Sequence, residues 1–222
     1  MSNPDISATA FTQRGHQRRE ALVAATLQII VRDGPAAVSL RAVAKEAGAS
    51  HGLVVYYFGT RSALMTAALD NVCNYLATAF ENCIPALEAA AGKPEAFAAV
   101  FIRYNMEHII EHPEVGLALH ELNIAGIRDE ALRPILHKWG KVFTDLCRKA
   151  FRELGSQQPE IDYGFLLNAI GGIIIGQFAL PRKDFEKKIF TPAVERLVRS
   201  IAGGSASQDM SARKERLPKR QA

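Results

Sequence analysis

The sequence predicts an all-α protein, and three observations carry that expectation. Apolar residues recur at helical spacing along most of the chain. Strand-like alternation bounded by turn residues is hardly present. Glycine and proline fall at junctions between periodic stretches, at Gly34-Pro35, Gly48, Gly59, Pro94 and Pro113.

The elements follow in order. Ala21, Leu22, Ala25, Leu27, Ile29 and Ile30 predict a helix over about 16–33, stopped by Gly34-Pro35. Ser39 is placed to cap a second helix whose apolar stripe is Leu40, Val43, Ala44 and Ala47, ending at Gly48. Ser50 opens a third, short helix through Val54 to about Tyr57. Thr60 caps a long helix expected from Arg61 to about Leu87, with Pro85 near its end. Further helices are expected at about 94–111, 113–126, 130–154, 160–180 and 184–202, the last with a candidate break at Thr191-Pro192. The expected organisation is a flexible arm over 1–13, a helix-turn-helix head over 14–60, a helical body over 61–202 and a disordered basic tail over 203–222.

Composition bounds the class. At 222 residues with 48% hydrophobic and 23% charged residues, the chain can bury a core without staples, which excludes disorder for the chain as a whole. Three cysteines, with no Cys-x-x-Cys pair, argue against a disulfide framework and a zinc ribbon. Cys73, Cys83 and Cys147 read as free, buried thiols. With no apolar run near the N-terminus, the expected location is cytoplasmic. The longest apolar stretch, Phe165 to Leu180, is interrupted by Asn168 and Gln177 and falls short of the ~20 residues of a spanning helix, so it reads as a buried or interfacial helix.

The net charge of +4 is unevenly spread. Residues 1–65 carry seven basic and four acidic side chains, residues 66–202 are slightly acidic, and residues 203–222 carry five basic and two acidic. A basic N-terminal segment on a neutral body fits a DNA-binding head.

The turn around Gly48 has helix-turn-helix spacing, which crosses the third helix steeply over the second and frees its outer face for a major groove. That face carries Ser50, His51, Gly52, Val55 and Tyr56. Ser50 suits a phosphate, Gly52 a close backbone approach, and His51 and Val55 base edges, Val55 against a thymine methyl. Tyr57, Thr60, Arg61 and Arg41 suit phosphates, and Arg14, Arg18 and Arg19 the backbone or a minor groove. Phe58 reads as core.

The segment from Ser39 to Leu69 resembles the DNA-binding region of TetR-family transcriptional repressors. Ala44, Ala47, Gly48, Ser50, Gly52, Tyr57, Phe58 and Leu64 match that family's pattern. Arg61 stands where a lysine is usual, and Val55 where a tyrosine is usual, which shifts a contact to Tyr56. The run Ser50-x-Gly52-Leu53-Val54-x-x-Tyr57-Phe58 resembles the choline-responsive betaine-pathway repressors, for the head alone. The resemblance implies a DNA operator as partner, a C-terminal helical bundle that binds a small-molecule effector and forms a homodimer, and no membrane, cofactor or enzymatic activity.

In the body, Gly164, Asn168, Gly172 and Gly176 recur every four residues, giving one small-residue face that another helix can approach. With Ile173, Val194, Leu197 and Val198 they form the expected dimer seam, an intrachain core being the alternative. The resemblance places the effector pocket on the middle helices, where Tyr104, Asn105, His108, His120, Asn123, Trp139 and Phe143 are the candidate lining residues. Trp139 with Tyr104 and Phe143 has the composition of a quaternary-ammonium cage. One alternative function is a zinc-dependent hydrolase: His108-x-x-Glu111-His112 matches an inverted zinc-protease motif, though no third ligand is evident.

Overall fold

The structure is a computed structural model that describes the backbone of residues 6–215 and the side chains of 13–203. The described residues are mostly helical, without strands. They divide into two compact units, the first comprising residues up to Tyr75 together with Glu114–Trp139, the second Leu76–Pro113 with Gly140 onward. The segment 114–139 groups with the head in the first unit.

In the first unit, α1 (Ile6–Asp33) buries Leu22, Val23, Ala25, Ile29 and Ile30. Gly34, at φ 81°, turns the chain into a single 3-10 turn, Pro35–Ala37, a left-handed step that glycine takes without strain. Then come α2 (Leu40–Glu46) and α3 (His51–Phe58). The spine is α4 (Arg61–Glu81), whose residues up to Tyr75 belong to this unit. Buried Leu64, Met65, Ala68 and Leu69 line its inner face. α7 (Pro113–Arg128) and the first turns of α8 (Arg133–Leu154) complete the unit. Gly126 of α7 packs closely there: a Cβ would displace the end of the Leu136 side chain. Asp70 on α4 accepts hydrogen bonds from Lys138 Nζ and Trp139 Nε1, both at 2.9 Å.

The second unit contains the end of α4, α5 (Ile84–Ala89), α6 (Pro94–Asn105), the rest of α8, α9 (Pro159–Ala179) and α10 (Thr191–Glu215). Its core is aromatic: Phe97 stacks on Phe101 at 5.2 Å and meets Phe151 edge-on at 5.3 Å, and Phe80 meets Tyr104 edge-on at 5.2 Å. α10 lies along α6, with Phe190, Val194 and Val198 buried.

Several boundaries differ from expectation. The long helix breaks at Asn82-Cys83 and restarts as α5, because Pro85 has no N–H to donate and fits the first turn of a new helix. A π-helical turn, Glu186–Phe190, leads into α10 beside Pro192. α1 starts at Ile6, inside the expected arm, and α10 continues through Gly203-Gly204 to Glu215, inside the expected tail; a helical glycine costs only about 1 kcal/mol against alanine. Residues 1–5 and 216–222 of the arm and tail lie outside the described residues.

Candidate nucleic-acid interface

The helix-turn-helix is built by local capping. Ser39 Oγ accepts from the Ala42 N–H at 3.1 Å, and Ser50 Oγ from the Leu53 N–H at 3.2 Å, so each short helix has one of its free amides satisfied. Gly48 sits at φ 59°, and the Ala49 N–H reaches back to the Ala44 carbonyl at 2.9 Å, closing the turn. Val43, Ala44, Val54 and Phe58 are buried between the helices and α1.

The opposite face of α3 is bare. Tyr56 is 81% exposed and Val55 43%, with His51, Gly52 and Ser50 exposed beside them. A Cβ at Gly52 would meet nothing within 4 Å, so the chain's own packing does not require glycine there. The Tyr56 and Tyr57 rings meet edge-on at 5.1 Å. Tyr57 is half-buried, and its hydroxyl lies 3.6 Å from where a Cβ on Gly15 would stand, so α1 supports this ring. Thr60 Oγ1 accepts from the Ala63 N–H at 3.1 Å, capping α4. Arg41, Arg14 and Arg18 are exposed on α2 and α1.

Two expected phosphate contacts are engaged within the chain. Arg61 donates from Nε to the Val38 carbonyl at 3.0 Å and from Nη2 to the Pro35 carbonyl at 2.8 Å, with Nη1 3.8 Å from Asp129 Oδ2. The Arg19 guanidinium lies 5.3 Å over the Phe58 ring. The sequence pattern also gave no signal for the fork between Arg32 and Glu46, at 3.0 and 2.9 Å, which ties α1 to α2 and holds the Glu46 carboxyl below its ordinary range.

Two family profiles match the chain. "Bacterial regulatory proteins, tetR family" covers residues 22–68, and "Tetracyclin repressor-like, C-terminal domain" covers 92–204, half of the chain. The chain belongs to the TetR family. Among its relatives, the HTH-type transcriptional regulator BetI of Vibrio parahaemolyticus is 31% identical over 160 residues, 70% of this chain and 78% of the relative. BetI of Stenotrophomonas maltophilia is 41% identical over 59 residues, 27% of this chain and 30% of the relative. A transcriptional regulator from Rhodococcus sp. Rha1 shares the fold at TM-score 0.69 and 19% identity, covering 84% of this chain and 96% of that one. The multidrug binding protein EbrR, solved with malachite green, superposes at TM-score 0.63 with 26% identity, covering 81% and 97%. This TetR-family member is therefore a helix-turn-helix transcriptional regulator, from a family of regulators and not of enzymes.

Three of the effector candidates spend polar atoms on the chain's own backbone. The Tyr104 hydroxyl donates to the Leu76 carbonyl at 2.9 Å, Asn105 Nδ2 to Phe101 at 2.8 Å, and exposed Asn123 to Leu119 at 2.8 Å, all backbone carbonyls. The ring of part-exposed His108 stands 5.4 Å from Tyr104. His120 is half-buried, and burial lowers its pKa. The face of the Trp139 indole already carries a cation of the chain, Lys138 Nζ, 4.7 Å from the ring centre. The zinc alternative gains no support: Glu111 and His112 are exposed past a π-helical turn, Met106–Ile110, and no group of three His, Cys, Asp or Glu fit to hold a metal occurs among the described residues.

The seam residues divide. Asn168, Gly172 and Gly176 are exposed on α9, with Gly164 and Ile173 half-exposed. Val194 and Val198 do not reach the surface: they are fully buried under α10, because the apolar stripe of that helix packs on α6. Leu197 is half-buried. By length and composition α9 could cross a membrane, but its charge-free stretch lies within a profile-matched regulator domain. Burial raises the thiols of Cys73, to about 12, and of Cys147.

Proposed function

We propose that this TetR-family regulator is a cytoplasmic, ligand-responsive repressor that binds a two-fold operator as a homodimer. The observation that carries the reading is α3: a capped helix with one face locked into the head and the other presenting Ser50, His51, Gly52, Val55 and Tyr56. Val55 meets a thymine methyl, His51 a base edge, and the exposed Ser50 hydroxyl, Tyr56, Thr60, Arg41, Arg14 and Arg18 the phosphates.

The dimer seam is the exposed face of α9. Glycines at 164, 172 and 176 have nothing within 4 Å of a built Cβ, although a helical glycine costs about 1 kcal/mol against alanine. A second helix approaching closely would use that space. Two heads about 34–36 Å apart then read successive major grooves, and an effector that prefers another spacing weakens operator binding by linkage. The effector pocket lies in the second unit, and screening begins with aromatic cations such as the malachite green bound by EbrR.

The test is fluorescence anisotropy on the DNA flanking the protein's own gene, with excess unrelated competitor at two salt concentrations. Saturable binding that survives competitor and covers a palindrome supports the reading. Binding that salt erases, there and on genome-selected fragments, overturns it.

A further inference from the structure

We infer that Arg61 is a positioning residue for the reading helix and not a phosphate contact: it fastens the Pro35–Val38 turn and the end of α7 to the start of α4. The inference rests on the DNA-binding reading and deepens it. All three guanidinium nitrogens face oxygens of the chain, two carbonyls at 2.8 and 3.0 Å and the Asp129 carboxylate at 3.8 Å. The carbonyls belong to Pro35 and Val38, the connection that delivers α1 into α2, and Val38 directly precedes the Ser39 cap. Asp129 in turn caps the 3-10 turn after α7 through the Ala131 N–H at 3.1 Å.

The residue type fits this task. A planar fork can hold two divergent carbonyls and a carboxylate at once, whereas a lysine offers one point charge. Arg61 also lines a groove of about 480 Å3 together with Glu121, Arg128, Asp129 and Glu130, so carboxylates as well as a second cation stand around it. The Asp129 pair is part-exposed and is the weaker link, the carbonyl bonds the stronger.

The variants are Arg61→Lys, Arg61→Gln and Asp129→Asn, each first checked for unchanged helicity and melting. In the DNA-free protein, the inference expects faster amide exchange at Ala37 and Val38, whose N–H groups close the 3-10 turn, in both Arg61 variants. Unchanged exchange overturns it, whether or not an operator is known. On operator DNA, Arg61→Lys is expected to weaken specific binding roughly tenfold while nonspecific binding and the salt slope stay as in the wild type. Asp129→Asn should weaken it less, with no further loss when added to Arg61→Lys. A phosphate contact gives the opposite pattern: Arg61→Lys binds like the wild type, and Arg61→Gln lowers the salt slope by about one. A wild-type chain with no saturable operator binding would instead sink the repressor reading, leaving the exchange result to decide the role of Arg61.

Discussion

α3 and α9 both leave apolar side chains in water, yet their surroundings point to different partners. On α3, Tyr56 and Val55 stand beside Ser50, His51 and Gly52, with Arg41, Arg14 and Arg18 exposed in the same head. On α9 and at its C-cap, Phe165, Leu167, Ile175 and Leu180 are about half or more exposed, and no charged residue occurs between Asp162 and Arg182. The first surface suits a groove that offers methyl groups and phosphates together. The second suits a surface as apolar and as close-fitting as itself. Exposed hydrophobes alone do not identify a partner; the density of charge and hydrogen-bonding groups around them does.

The sharpest way to break this contrast is to put a charge on α9. Gly172→Arg has room in the isolated protomer, since nothing lies within 4 Å of its Cβ position. In a dry seam the unpaired cation would cost about 3–5 kcal/mol. Sedimentation should show a folded monomer that keeps the wild-type circular dichroism and loses tight operator binding. An unchanged dimer would move the seam elsewhere.

Tyr56→Ala probes the other surface. The side chain is 81% exposed, so the melting temperature should stay within the equivalent of about 0.5 kcal/mol. Operator affinity should fall by about 1–3 kcal/mol, read by anisotropy, with dimerisation intact. A variant that binds DNA as well as the wild type would remove Tyr56 from the interface. Gly172→Ala is subtler: it should stabilise the protomer by up to about 1 kcal/mol in denaturant titration while loosening the dimer.

The head was legible because its instructions are local. Ser39 and Ser50 cap amides three residues away, and Gly48 supplies the left-handed step between them. The long-range ties were not legible. Arg61 reaches carbonyls 23 and 26 residues back, and Trp139 finds Asp70 across 69 residues, separations at which periodicity carries no information. Val194 and Val198 fail for another reason: a helical stripe reveals that a face is covered, not whether the cover comes from the same chain. The bonds of Tyr104, Asn105 and Asn123 were equally hidden, since each spends a polar atom on a backbone carbonyl of its own fold.

The smallest effect separates the unit carrying α3 from the one carrying α9. Burial alone would raise the Asp70 carboxyl, but hydrogen bonds from Lys138 and Trp139 outweigh it and hold the group below its ordinary 3.8. A depressed carboxyl contributes stability that is present above the unfolded value, about 3.9, and is lost as pH falls through the lower folded value. The wild type should therefore exceed Asp70→Asn in denaturant midpoint from neutrality down to about pH 4, and the gap should close below it. The chain's single tryptophan is itself the donor to Asp70, so indole fluorescence reports on this tie directly. A gap that persists undiminished at pH 2 would mean that Asp70 acts through shape rather than charge. A gap that also appears in the dimer dissociation constant would mean that the tie between α4 and α8 is felt at α9, and that the two surfaces are not independent.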